Sequence, residues 1–117
     1  MSSRILRTAL IALPFAVIVL VACSPAQQVV TITMSSFDFE PDNMNVRAGQ
    51  TARVLLDNPD SIPHAFDIPE LGVGLTVLPG ASIEIELLAT EPGTYIYFCG
   101  IPGHREAGME GVLVVKP

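Results

Sequence analysis

Positive charge is scarce in this chain: six Lys and Arg stand against twelve Asp and Glu, for a formal net charge of −6. A surface of that sign repels a phosphate backbone, so nucleic acid is excluded as a partner and a basic protein is the complementary one. Histidine and cysteine are rarer still, two of each in 117 residues. So few donors speak against a His-rich metal store and leave each of the four to be accounted for individually. No apolar run reaches the roughly 20 residues that a membrane-spanning helix needs. Beyond residue 28 no stretch carries a helical stripe of apolar residues, and no internal repeat or low-complexity tract occurs. What remains is a chain long enough for one small domain.

The N-terminal end has a different character. Residues 1–8 carry Arg4 and Arg7 and no acid, and residues 9–22 form an apolar run of 14 containing Pro14. That length suits the hydrophobic region of a signal peptide. The run ends in Leu20-Val21-Ala22-Cys23, which resembles the lipobox of bacterial lipoproteins. The resemblance implies cleavage before Cys23 and acylation of its thiol; an uncleaved anchor, or secretion with a spare cysteine, is the alternative. The expected organisation is a signal peptide over 1–22, a lipidated Cys23 with a short linker over 23–28, and one domain over 29–117. Cleavage removes two arginines and no acid, leaving 95 residues with a formal charge of −8. The linker Ser24-Pro25-Ala26-Gln27-Gln28 spans at most about 17 Å. It would hold the domain close to a bacterial membrane, in the periplasm or on the outer face of the cytoplasmic membrane. Two cysteines in an exported chain ordinarily point to a disulfide, but here each has a separate and more specific explanation.

Along the domain, residues 29–34 alternate Val30, Ile32 and Met34 against Val29, Thr31 and Thr33, a strand pattern. Phe37 and Phe39 continue it, with both aromatics expected on one face, until Pro41-Asp42-Asn43 turns the chain. Residues 44–47 and 51–57 read as further strands, the second broken by Asn58-Pro59-Asp60. Residues 62–68 are extended, since Pro63 biases its neighbour away from helix, and His64, Phe66 and Ile68 share a face. Glycines and prolines between 69 and 80 predict little regular structure. Residues 81–88 set Ile83, Ile85 and Leu87 inward against Glu84 and Glu86, and strands follow at 94–98 and 112–116. Turn signals every 8–12 residues or so indicate an all-β antiparallel sandwich or barrel.

Between those last two strands runs Cys99-Gly-Ile-Pro-Gly-His104-Arg-Glu-Ala-Gly-Met109. Taken singly, Cys99 reads as a small buried hydrophobe, Met109 as a core filler, and His64 or His104 as an ordinary core or surface residue. Their joint placement changes the reading. A thiol, an imidazole and a thioether fall at Cys-x4-His-x4-Met spacing on one loop, where Gly100, Gly103 and Gly108 permit tight bends and Pro102 stiffens the chain. Zinc accepts Cys and His but has no use for Met. Two imidazoles, a thiolate and a long axial Met are the ligand set of a blue-copper electron-transfer site, with His64 completing the set.

The segments Tyr95-Ile-Tyr-Phe-Cys99, Pro102-Gly-His104 and Ala107-Gly-Met109-x-Gly111 resemble the C-terminal ligand loop of the cupredoxins. The spacing is most similar to the auracyanin and rusticyanin branch. Asn58-x4-Pro63-His64 is similar to the plastocyanin-like motif that carries the first histidine. The resemblance spans roughly residues 29–116, essentially the whole chain after the signal segment, and its loop motif is highly specific. It implies a Greek-key β-sandwich holding one copper ion (Cu+/Cu2+), with Cys99 as the thiolate ligand, His64 and His104 as in-plane imidazoles, and Met109 as the weak axial ligand. It further implies that the His104 edge faces outward through an apolar docking patch, for which Ile62, Pro63, Ile101, Pro102 and Ala107 are the candidates. Ala65 stands where plastocyanins often have Asn, so a side-chain tie between the two ligand segments is missing, and Asn58 is a candidate to supply one. Only Cys99 lies on the loop, so the site is mononuclear. Glu106 and Glu110 would lower the potential if they lie near the metal.

The expected function is therefore that of a membrane-tethered monomer, not an enzyme, that shuttles one electron outside the cytoplasm. Its partners would be redox proteins at the membrane surface: a c-type cytochrome, a quinol-oxidising complex or a terminal oxidase. The acidic charge predicts that association with a basic partner slows as salt rises. Two other readings stand beside it. An extracytoplasmic copper carrier or store on the same fold would hold its metal in a more exposed, exchangeable site. A thiol enzyme with Cys99 as nucleophile and His104 as base leaves Met109 and His64 unexplained.

Overall fold

Alternating apolar and polar residues fold into nine strands in the computed structural model, which describes residues 16–117. They are β1 (Gln28–Ser35), β2 (Asp38–Glu40), β3 (Asn43–Arg47), β4 (Thr51–Asp57), β5 (His64–Ile68), β6 (Val73–Val77), β7 (Ser82–Leu88), β8 (Gly93–Phe98) and β9 (Glu110–Lys116). One sheet has the order β2-β1-β4-β7 and the other β3-β9-β8-β5-β6. The expected all-β sandwich is present. Its pairing is mixed rather than wholly antiparallel, because β1 runs parallel to β4, and β3 parallel to β9. The cause lies in the crossovers: after the β1–β2 hairpin the chain passes to the second sheet for β3, then returns as β4 to lie beside β1.

Two further sequence expectations need correction. Residues 69–80 are not irregular; a 3₁₀ turn at Pro69–Leu71 leads through Gly72 (φ 67°) into β6, which pairs antiparallel with β5. Val73, Leu75 and Val77 carry a period of two there, and pairing with β5 outweighs the glycine punctuation. Phe37 and Phe39 do not share a face. Ser36 and Phe37 form a two-residue hairpin turn with φ of 55° and 60°, so Phe37 is exposed while Phe39 is buried. The signal-peptide reading falls largely on residues 1–15, which lie outside the described residues; 16–22 are exposed and without regular structure. Among the described residues no helix is long and apolar enough to cross a membrane. Cys23 is exposed, Cys99 is buried, and the two are not bonded to one another.

The core lies between the sheets. Ile32, Met34, Val54 and Leu56 from the first sheet face Phe66, Ile68, Tyr97 and Leu113 from the second, all fully buried, each contributing about 1.5–3 kcal/mol by leaving water. Phe39, Phe66 and Tyr97 meet with ring centroids 5.1–5.9 Å apart, and the Tyr97 hydroxyl donates to the Pro41 carbonyl at 3.1 Å. Gly111 lies opposite Tyr97 in the β8–β9 ladder, and a Cβ there would overlap the Tyr97 ring. This aromatic cluster sits beneath the end of the sandwich where β5 begins and β8 ends.

Candidate metal centre

The pairing of β5 with β8 is confined to Asp67 opposite Phe98. Beyond that point β8 gives way to the loop at residues 99–109, and the Ala65 N–H is released from the ladder. It donates instead to Cys99 Sγ at 3.2 Å. The tie between the two ligand segments, missing as a side chain at Ala65, is made by that residue's backbone. Asn58 does not supply it. Its buried amide reaches the carbonyls of Ile62, Val77 and Leu78 at 2.9, 2.9 and 3.2 Å, and its Oδ1 accepts the Asp60 N–H at 3.1 Å. Asn58 thereby folds the β4–β5 loop onto the end of β6 and delivers His64 to the site.

Each donor is aimed by protein groups. His64 is fully buried, and its Nε2 lies 2.8 Å from Asp60 Oδ2. With Nε2–H donated there, the Nδ1 lone pair faces the site. His64 Nδ1 stands 3.3 Å from His104 Nδ1, which in turn is 3.4 Å from Cys99 Sγ. The loop closes on itself through its backbone: Cys99 N–H donates to the Met109 carbonyl and Met109 N–H to the His104 carbonyl, both at 3.1 Å. Met109 is fully buried. Gly103 and Gly108 take φ of 87° and 108°, values that the tight bends demand and other residues resist. Arg105 stacks on Phe98 at 3.9 Å and bonds Glu110 at 2.8 Å, which leaves Glu110 paired with a cation.

Two carboxyls near the loop are perturbed in opposite directions. The His64 imidazole and the Ser36 N–H hold the Asp60 carboxyl below the usual carboxylate range. Burial pushes Asp67 up, opposed by a bond from the Gly100 N–H. A Cβ at Gly100 would collide with that Asp67 carboxylate.

His64 Nδ1 or Nε2, Cys99 Sγ and a ring nitrogen of His104 all lie within 4.8 Å of one another. Donors around one ion with bond lengths of about 2.0–2.3 Å stand roughly 3–4 Å apart, so the cluster is able to hold a metal ion. Its softness, one thiolate with two imidazoles and a buried thioether on the same loop, fits copper. The five docking candidates flank the cluster: Ile62 and Pro63 in the β4–β5 loop, and Ile101, Pro102 and Ala107 in the 99–109 loop, all at least partly exposed. Cys23 lies apart, in the segment before β1.

Two residues near the donors escaped the sequence reading. Asp60 read only as part of a turn, although a carboxylate four residues before a candidate ligand is a signal for an orienting partner. Phe37 read as a strand residue, yet its ring stands edge-on to His104 with centroids 4.8 Å apart. Leu78, 64% exposed at the end of β6, joins Phe37 and Ile62 on the same pole.

Comparison with known proteins places this geometry. A family model described as a cupredoxin-like domain matches residues 8–115. The chain is 34% identical over 112 residues to the copper-resistant cuproprotein CopI of Rubrivivax gelatinosus, covering 78% of this chain and 68% of that protein. It is 31% identical over 96 residues to the plastocyanin of Dryopteris crassirhizoma, covering 71% of this chain and 92% of that one. Other curated relatives are longer: the chain spans 23% and 26% of two copper-containing nitrite reductases. Among solved structures, the dithionite-reduced auracyanin of Roseiflexus castenholzii superposes with a TM-score of 0.68 at 23% identity, over 80% of this chain and all of that one.

Proposed function

The chain belongs to the cupredoxin-like family, and on that premise we propose that it is a membrane-tethered blue-copper protein passing one electron between redox proteins outside the cytoplasm. The observation that carries the reading is the convergence of His64, Cys99 and His104, with donor atoms within 4.8 Å of one another. One copper ion bound there supplies the chemistry, a single-electron change between Cu+ and Cu2+. His64, Cys99 and His104 would hold it as strong ligands, with the Met109 thioether as a weaker fourth.

The residues of this chain do the rest. Asp60 and Asn58 fix the His64 ring; the Ala65 N–H holds the Cys99 sulfur and withdraws charge from it; the self-bonded loop fixes His104 and Met109. Ligands held in this way by protein bonds keep one arrangement in both oxidation states, so little reorganisation accompanies the electron. Full burial of Cys99 also gives a substrate no path to its sulfur, which weighs against thiol catalysis.

Phe37, Ile62 and Leu78 are exposed apolar side chains at the metal pole. With Ile101, Pro102 and Ala107 they supply an apolar docking face over the His104 edge. The partners proposed are a c-type cytochrome, a quinol-oxidising complex or a terminal oxidase, met by a monomer. Lipidation at Cys23, after removal of 1–22, would anchor the domain. β1 starts at the opposite pole, and its eight residues run for roughly 26 Å toward the metal end. A domain tethered through residues 24–27 would therefore present its metal pole away from the bilayer, to a partner that rises from the membrane.

The relation to CopI favours a second reading, a copper carrier on the same fold. One measurement separates them. Protein from Ser24 onward, given one equivalent of Cu2+, is expected to turn intensely blue with a narrow copper hyperfine splitting, and to release the metal slowly to a chelator. A colourless product sinks the blue-copper assignment, and fast release sinks electron transfer in favour of carriage.

A further inference from the structure

Asp60 stands at a junction that the ligand set alone does not require. A single carboxylate oxygen, Oδ2, accepts from His64 Nε2 at 2.8 Å and from the Ser36 N–H at 2.9 Å. The backbone N–H of Asp60 is fixed in turn by Asn58 Oδ1. Asp60 is thus clamped by β4's crossover loop on one side and by the β1–β2 turn on the other. It connects the first sheet to a ligand of the second.

We propose that Asp60 is a positioning and potential-setting residue, which locks His64 in the tautomer that leaves Nδ1 free for copper and biases the bound ion toward its oxidised state. This rests on the copper reading above and extends it to a residue that does not touch the metal. His64 is fully buried while Asp60 reaches solvent, so the carboxylate is what covers Nε2 and fixes its proton. Without it the ring is left with an unpaired N–H or a mobile water at Nε2, and its proton is free to move to Nδ1, where it blocks the lone pair the metal needs. Outer partners of this kind are typically worth roughly 10–100-fold in metal affinity. The charge acts separately. A fixed negative charge one imidazole away from the ion stabilises Cu2+ over Cu+ and so lowers the reduction potential.

Two variants of the full chain in detergent separate the two effects. Asp60→Asn keeps an oxygen for His64 and Ser36 but removes the charge; the potential is expected to rise through weaker Cu2+ binding, with Cu+ affinity nearly unchanged. Asp60→Ala removes both, and Cu+ affinity is expected to fall roughly 10–100-fold. A third readout needs no copper: long-range ¹H–¹⁵N NMR of the metal-free protein should show His64 protonated at Nε2 in the wild type and in Asp60→Asn, and mixed or protonated at Nδ1 in Asp60→Ala. An Asp60→Asn potential equal to that of the wild type overturns the electrostatic role. An unchanged His64 tautomer and affinity in Asp60→Ala overturns the positioning role. Failure of the wild type itself to form a blue species would instead refute the copper reading, and the NMR result would still decide the tautomer.

Discussion

Asn58→Ala is the substitution from which the structure predicts the most. The side chain is fully buried, its two amide protons are shared among the Ile62, Val77 and Leu78 carbonyls, and its Oδ1 holds the Asp60 N–H. Alanine removes three hydrogen bonds at about 1 kcal/mol net each and strands at least one buried carbonyl at a further cost of about 1–3 kcal/mol. The expected loss is therefore about 4–6 kcal/mol. At the lower figure, a domain of this size should melt roughly 16–32 °C earlier. Urea unfolding of wild type, Asn58→Ala and Asn58→Asp, followed by far-ultraviolet circular dichroism, measures it, with unchanged m-values showing that stability alone moved. Asn58→Asp has nearly the same volume but faces carbonyls with a carboxylate, so at neutral pH it should be at least as damaging. A cost below about 1 kcal/mol for alanine, or a wild-type midpoint for aspartate, would refute the reading of Asn58 as a polar hub and leave it as a packing residue.

Three further perturbations address other links. Gly111→Ala drives a methyl into the Tyr97 ring, which Phe39, Phe66 and the Pro41 carbonyl hold in place; the midpoint in urea should drop by the equivalent of about 3 kcal/mol, the upper end for overpacking, and an unaltered midpoint would mean that the ring moves freely. Phe37→Gly relieves a bulky residue from φ of 60° while opening the His104 edge, so thermal stability should hold within about 1 kcal/mol while copper passes faster to a chelator; a large fall in melting temperature would show that ring packing outweighs backbone strain. Asp67→Asn tests linkage. Because burial raises the Asp67 pKa, its protonated form favours the fold, and that contribution is full below the unfolded value of about 3.9 and lost as pH climbs through the folded one. The asparagine variant should thus be the more stable at pH 7, its advantage vanishing near pH 3, and a pH-independent difference between the two melting curves would contradict this.

Strands with a clean period of two were legible: the inward Ile32 and Met34 of β1 and the inward Ile83, Ile85 and Leu87 of β7 follow directly from side-chain alternation. The donor residues were legible for another reason, since Cys99, His104 and Met109 are chemically distinctive and lie on one loop, where spacing carries meaning. β6 was not, because Gly72 and Gly74 look like turn residues until β5 is alongside. Parallel pairing of β1 with β4 depends on which sheet each strand joins, a property of the whole chain rather than of any window. Ala65 acts through a backbone N–H, which leaves no trace in residue type, whereas the Asp60 carboxylate is visible four residues before His64 but is masked by the turn residues Asn58 and Pro59 around it. Ser36-Phe37 contradicts its local preference outright: two-residue hairpin turns with positive φ favour Asn and Gly, and here the fold imposes the turn on a serine and an aromatic.

That imposed turn explains where the site had to form. The first sheet contributes none of the three clustered donors; His64 opens β5, and Cys99 and His104 belong to the loop after β8. What it contributes is restraint, through Ser36 N–H on Asp60 and the Phe37 ring on His104. The second sheet opens at the same pole, where β5 and β8 share only one paired position, and the freed Ala65 N–H finds a sulfur instead of a carbonyl. The two positive-φ residues of the turn, Ser36 and Phe37, cost about 1–3 kcal/mol each. A core of fully buried side chains, each contributing about 1.5–3 kcal/mol, absorbs both without loss of the fold. A ligand set drawn from one sheet alone would move with that sheet's fluctuations; clamping it from the other makes the relative position of the two sheets, fixed by the Phe39, Phe66 and Tyr97 cluster, the quantity that sets the geometry of the donors.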